Sequence, residues 1–131
     1  MKNALLNLSR LTSSVWSPIS GGITTPDGFL AAGISAGLKP SGKKDLALLY
    51  APDGACCSGT FTQSMTRAYC VDLCINRIKA SEGKIRAVVI NSGHANACTG
   101  SRGKIDSEII TNELAQRLGL SNEEVLICST G

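Results

Sequence analysis

Short apolar runs punctuated by glycine and proline occupy the first half of the chain, and longer periodic runs occupy the second. Ile23-Thr24-Thr25 and Phe29-Leu30-Ala31-Ala32 flank Pro26-Asp27-Gly28. Proline presets φ for a turn and glycine accepts positive φ, so this spacing predicts a hairpin or a tight corner. Gly33, Gly37 and Gly42, with Pro40 among them, leave little room for regular structure before a strand predicted at residues 46–50. Pro52-Asp53-Gly54 predicts a turn, and residues 55–63 a further strand that pairs with 46–50 as a hairpin.

Residues 69–79 carry Val71, Leu73, Cys74, Ile75 and Ile78, which fit a single helix and a strand leading into a helix about equally, with helix favoured at the C-terminal end. Residues 85–90 are β-branched and almost continuously apolar, which predicts a strand covered on both faces. Ile105, Ile109, Ile110, Leu114, Ala115 and Leu118 recur near a 3.6-residue period. Asp106 and Glu108 lie early, Arg117 late, and Gly119 stops the run, so this is the most secure helix. Ser121 and Glu124 have capping-box spacing, and the short run Val125-Leu126-Ile127-Cys128 that follows predicts one helical turn feeding a strand. A β-rich beginning followed by alternating strands and helices points to an α/β fold built on a layered sheet.

Composition narrows the function classes. With 131 residues, 43% hydrophobic and 18% charged, the chain is about one domain long and can build a core without disulfides or metal. A net charge of +3, 4% aromatic residues and no basic run longer than Lys43-Lys44 argue against nucleic-acid binding. The apolar runs are too short to span a membrane. The first 26 residues contain Lys2, Arg10 and several serines, so an ordinary N-terminal extension over residues 1–20 competes with an organelle-targeting remnant. The location is expected to be cytoplasmic, with a plastid or mitochondrion as the alternative. Six cysteines, Cys56, Cys57, Cys70, Cys74, Cys98 and Cys128, include no Cys-x-x-Cys pair, and His94 is the only histidine, so no metal site is expected. Buried, reduced thiols are the expectation, with Cys56 and Cys57 on opposite faces of a strand and Cys70 and Cys74 at helical spacing.

Two motifs carry candidate chemistry: Asn91-Ser92-Gly93-His94-Ala95-Asn96-Ala97-Cys98-Thr99-Gly100 after one strand, and Ser129-Thr130-Gly131 after another. A loop at a strand terminus can offer backbone amides and short hydroxyls to a ligand without obstruction, although each motif alone could also be a glycine-rich turn. They occur in order with Gly21-Gly22-Ile23-Thr24, Gly28-Phe29, Ala32-Gly33-Ile34, Lys44-Asp45-Leu46-Ala47-Leu48 and Gly59-Thr60-Phe61-Thr62. From residue 21 to residue 131 this series resembles the ornithine acetyltransferase family, also called bifunctional glutamate N-acetyltransferase, of arginine biosynthesis.

The resemblance implies an acyltransferase that moves acetyl from N-acetylornithine to glutamate, with acetyl-CoA as a donor for some members and no metal or organic cofactor. It implies a layered sandwich of β-sheets flanked by helices, incomplete in this chain. It also implies a precursor that cuts itself into α and β chains, assembled two of each, with 21–131 as the N-terminal part of the α chain. The threonine freed at the β-chain N-terminus is then the nucleophile, activated by its own α-amine. The family's oxyanion donors match Thr130, through its hydroxyl, and Gly131, through its N–H; such donors are worth roughly 3–4 kcal/mol of barrier each.

His94 departs from the family's usual Asn and is expected to serve loop hydrogen bonding rather than catalysis. Thr62 and Arg67 are candidates for lining a substrate pocket, or for a solvated loop. The sequence stops at Gly131, before any counterpart of the nucleophile, so it is expected to be a truncated piece that is inactive alone. A related self-processing aminopeptidase and a non-catalytic small-molecule binding fragment are the alternatives.

Overall fold

The computed structural model describes residues 17–131; most of the predicted extension, residues 1–16, lies outside the described residues. Its elements are β1 (Leu30–Ile34), β2 (Leu46–Cys56), α1 (Tyr69–Ala80), β3 (Lys84–Ser92), α2 (Gly100–Leu118), a 3-10 turn (Asn122–Glu124) and β4 (Val125–Thr130). The strands form one mixed sheet in the order β1-β2-β3-β4. The β1–β2 and β2–β3 pairings are antiparallel, and β3–β4 is parallel. A parallel pair needs a crossover, and α2 supplies it. The fold is α/β, as the pattern predicts, with one sheet layer among the described residues.

Four local expectations change or narrow. The corner at residues 22–28 is a series of turns, opened by the Thr25 N–H donating to the Gly22 carbonyl at 3.0 Å, with no hairpin around it. Gly33 belongs to β1, opposite Ala47. Pro52-Asp53-Gly54 does not close a hairpin: β2 runs through it, and the register against β3 shifts between Tyr50 and Ala55. The turn chemistry is absorbed as a bulge because β3 offers β2 a long partner, and the Arg86 guanidinium donates to the Pro52 carbonyl. Beyond Cys56, residues 57–64 have no regular structure, in place of the expected strand.

Residues 69–80 form one helix, which buries Cys70, Leu73, Cys74 and Arg77 at spacings of three and four. This stripe lies along the outer edge of β4. The Cys74 thiol donates to the Ile127 carbonyl at 3.2 Å, and the Arg77 guanidinium to the Val125 carbonyl at 2.7 Å and to Asn112 Oδ1 at 3.0 Å. Side chains of α1 thus satisfy an edge that would otherwise be open to another strand. Burial pushes the Cys70 and Cys74 thiols up from their ordinary pKa.

Helix α2 ends at Gly119, in the left-handed conformation with φ 64°. Its inward stripe, however, is Gly103, Ser107, Thr111 and Ala115, while Ile105, Ile109 and Ile110 are exposed. Small residues let this helix approach closely. Its buried hydroxyls are satisfied within the helix, Ser107 donating to the Gly103 carbonyl and Thr111 to the Ser107 carbonyl, each at 2.8 Å. After Gly119, the Ser121 N–H donates to the Glu124 carboxylate at 2.9 Å, which fulfils the predicted cap spacing before β4.

On β3, Ile85, Ala87 and Val89 are buried in the helix-covered core, whereas Arg86, Val88 and Ile90 are only half-buried. The strand predicted to be covered on both faces is therefore covered fully on one, because both described helices pack against the same side and edge of the sheet. For the same reason Cys128 is exposed rather than buried, as are Cys56 at the end of β2 and Cys98 in the loop before α2. Only Cys70 and Cys74 fulfil the buried-thiol expectation, with Cys57 half-buried.

Candidate functional site

The two sequence motifs meet because β3 and β4 run parallel and end together, Asn91 opposite Ser129 and Ser92 opposite Thr130. The Ser129 hydroxyl donates to Asn91 Oδ1 at 2.6 Å, and Asn91 Nδ2 donates to the His94 carbonyl at 2.7 Å. The N–H groups of Gly93 and His94 both donate to the Thr130 carbonyl, at 2.9 and 3.1 Å. Glycine is required at 93: φ is 103°, and a Cβ there would lie 2.9 Å from Lys39 Cγ and 3.3 Å from the Leu38 carbonyl oxygen.

Those two contacts belong to a loop fastened by a residue that sequence reasoning missed. Asp45 is buried at the head of β2, and its carboxylate accepts the N–H of Ala36 at 2.6 Å and of Lys39 at 2.8 Å. These amides hold its carboxyl below the usual carboxylate range. Its carbonyl accepts the Ser92 N–H at 2.8 Å, so Asp45 ties the 36–39 loop to the end of β3. The available signal was a lone acid directly before an apolar strand.

Asn96 fastens the other side of the 91–100 loop. Its Oδ1 accepts the Cys70 N–H at 2.9 Å in the first turn of α1, and its Nδ2 donates to the Gly103 carbonyl at 2.8 Å and to Ser107 Oγ at 3.0 Å in α2. One amide side chain therefore joins the starts of both helices.

Between α2 and the sheet lies a cleft of about 640 Å³, walled by Leu46, Val89, Leu114 and Ile127, with Asn91 and Ser129 among its polar groups. Side chains alternate along a strand, so Ser129 faces this cleft and Thr130 faces the other side of the sheet. Thr130 and Gly131 are both exposed. His94 contributes its backbone to the loop, and it lines the cleft. Arg67 is paired with Asp72 at 2.6 Å and donates to the Ser64 carbonyl at 3.2 Å, beside a shallow pocket that includes Thr99. Thr62 accepts the Ser64 N–H at 3.2 Å and is not part of that pocket, so the structure does not unite the Thr62–Arg67 pair in one site. Among the described residues no cluster of metal-ligating side chains occurs.

The chain is similar to known proteins over most of its length. The arginine biosynthesis bifunctional protein ArgJ of Prochlorococcus marinus (strain NATL2A) is 92% identical over 131 residues, which are the whole of this chain and 31% of that relative. The chain thus spans about a third of the length of the curated relatives it matches. The crystal structure of arginine biosynthesis bifunctional protein ArgJ from Bacillus halodurans is 34% identical with a TM-score of 0.80, over 85% of this chain and 57% of that one. Ornithine acetyltransferase from Mycobacterium tuberculosis, solved with ornithine, is 41% identical with a TM-score of 0.77, over 84% of this chain and 59% of that one. Since the ArgJ family profile matches residues 30–131, from the start of β1 through the Thr130–Gly131 strand end, the chain belongs to the ArgJ family.

Proposed function

We propose that the protein containing this chain is an ornithine acetyltransferase that transfers acetyl from N-acetylornithine to glutamate, and that Thr130 and Gly131 are its oxyanion donors. The observation that carries this reading is the hold of the 91–94 loop on the Thr130–Gly131 peptide in a chain of the ArgJ family. Family membership and the structural likeness to an ornithine acetyltransferase favour this reading over a self-processing aminopeptidase or a non-catalytic binding fragment.

The chemistry then runs as two acyl transfers. A threonine hydroxyl outside this chain attacks the acetyl carbonyl and loses its proton to the adjacent α-amine. The carbonyl oxygen becomes an oxyanion, which the Thr130 O–H and Gly131 N–H stabilise. Its collapse breaks the amide C–N bond, and ornithine leaves with the proton. The glutamate amine next attacks the acetyl-threonine ester through a second oxyanion at the same donors; its collapse breaks the ester C–O bond, and the proton lost by the amine returns to the threonine oxygen, giving N-acetylglutamate and the free threonine. Acetyl-CoA as an alternative donor, self-cleavage of a precursor and a tetramer of two α and two β chains belong to the same proposal, as does a cytoplasmic location. The decisive experiment replaces Thr130 by Ala in the full-length protein and follows acetyl transfer and precursor cleavage separately. Transfer is expected to fall about 100- to 1000-fold. Unchanged transfer overturns the oxyanion assignment.

A further inference from the structure

We infer that the 91–94 loop is a positioning device that aims and polarises the Gly131 N–H by gripping the carbonyl of the same peptide unit; this rests on the oxyanion reading of Gly131. A peptide unit is planar and, when trans, carries its C=O and N–H in opposite directions. No cis peptide occurs among the described residues. Whatever fixes the Thr130 carbonyl therefore fixes the direction of the Gly131 N–H. That carbonyl accepts two amides, from Gly93 at 2.9 Å and His94 at 3.1 Å. Two donors on a carbonyl also draw charge through the amide and make its N–H a stronger donor.

Strand alternation supports the direction. The Thr130 carbonyl bonds inward to the β3 side, whereas the Val125 and Ile127 carbonyls point outward and are taken by Arg77 and Cys74 of α1. The Gly131 N–H continues the outward series and leaves the sheet at its edge, where an oxyanion can reach it. The grip is itself held by a relay: the Ser129 hydroxyl donates to Asn91 Oδ1, whose Nδ2 donates to the His94 carbonyl. Asn91 and Ser129 are thus positioning residues that act through the loop.

The test uses the intact full-length protein with Asn91→Ala, Ser129→Ala and the double variant, beside Thr130→Ala. Losing a net hydrogen bond is worth up to about tenfold in a rate that depends on it. Asn91→Ala is expected to lower kcat for acetyl transfer about tenfold, with KM for N-acetylornithine, precursor cleavage and melting temperature little changed. Ser129→Ala should give a smaller fall in kcat, and the double variant should be no worse than Asn91→Ala alone, as members of one relay require. Asn91→Asp, which keeps the acceptor for Ser129 but sets a carboxylate oxygen against the His94 carbonyl, should lower kcat at least as far as Asn91→Ala. If Asn91→Ala does not fold, the kcat of Ser129→Ala decides. Loss of transfer in Thr130→Ala with wild-type kcat in the Asn91 and Ser129 variants overturns the positioning role alone. An effect confined to KM, or multiplicative effects in the double variant, also overturn it. Full transfer by Thr130→Ala removes the hydroxyl half of the oxyanion reading, and full transfer by it together with wild-type kcat in the Asn91 and Ser129 variants removes the Gly131 half as well.

Discussion

Replacing Asn96 by Ala removes the acceptor that the Cys70 N–H has in the first turn of α1. The first four N–H groups of a helix have no partner inside it, so this amide depends on an outside acceptor. The other losses are milder. The Gly103 carbonyl and the Ser107 hydroxyl still bond each other at 2.8 Å, and the neighbouring Val71 N–H keeps the Ala68 carbonyl at 3.0 Å. The cost is therefore close to that of one orphaned, partly buried donor plus a lost tie between helices, about 2–3 kcal/mol. Because the lesion is local, hydrogen exchange read on a peptide covering residues 69–72 is the direct assay. Exchange there should accelerate roughly 30- to 100-fold, while the β3 and β4 peptides change less. Wild-type protection of that segment would refute the assignment of Asn96 as the link between the two helix starts. It would mean that water or another group accepts the Cys70 amide equally well.

Gly93→Ala forces a methyl group against Lys39 Cγ and the Leu38 carbonyl at a φ of 103°, and should cost about 1–3 kcal/mol, read as a lower urea midpoint with an unchanged slope. Equal midpoints would show that the 36–39 loop yields freely. Asp45 gives a pH dependence whose sign follows from its lowered pKa. Its contribution is complete above the unfolded-state pKa of about 3.9 and is lost as pH falls through the lower folded value. Proteolysis or exchange of the 36–39 loop should therefore rise below about pH 4 in wild type, and Asp45→Asn should show the loosened loop already at pH 7. A loop equally protected in Asp45→Asn would remove the carboxylate from that role.

The helix ending at Gly119, the strand beginning near Ile85 and the cap at Ser121 and Glu124 were all legible in the sequence, because each rests on neighbours within one or two turns of chain. The inward face of α2 was not. A 3.6-residue period of isoleucine and leucine announces a helix, but the face that meets the sheet was chosen by close approach, which favours Gly103, Ser107, Thr111 and Ala115 over Ile105 and Ile109. Likewise Pro52-Asp53-Gly54 has turn chemistry, yet pairing of β2 with β3, about 30 residues away in the chain, turned it into a bulge.

For the candidate site, local sequence determined the ingredients: small residues and amide donors after two buried strands, and the ordered motifs that carried the family resemblance. Only the tertiary structure made them one site. A parallel pair cannot form without a crossover, so the chain must run through the whole of α2 before Ser129 meets Asn91 and the Thr130 carbonyl meets the amides of Gly93 and His94. Those contacts link residues more than 35 positions apart, beyond the reach of any local pattern. The direction of the Gly131 N–H is set by that long-range pairing, since the planar peptide passes the hold on one of its ends to the other.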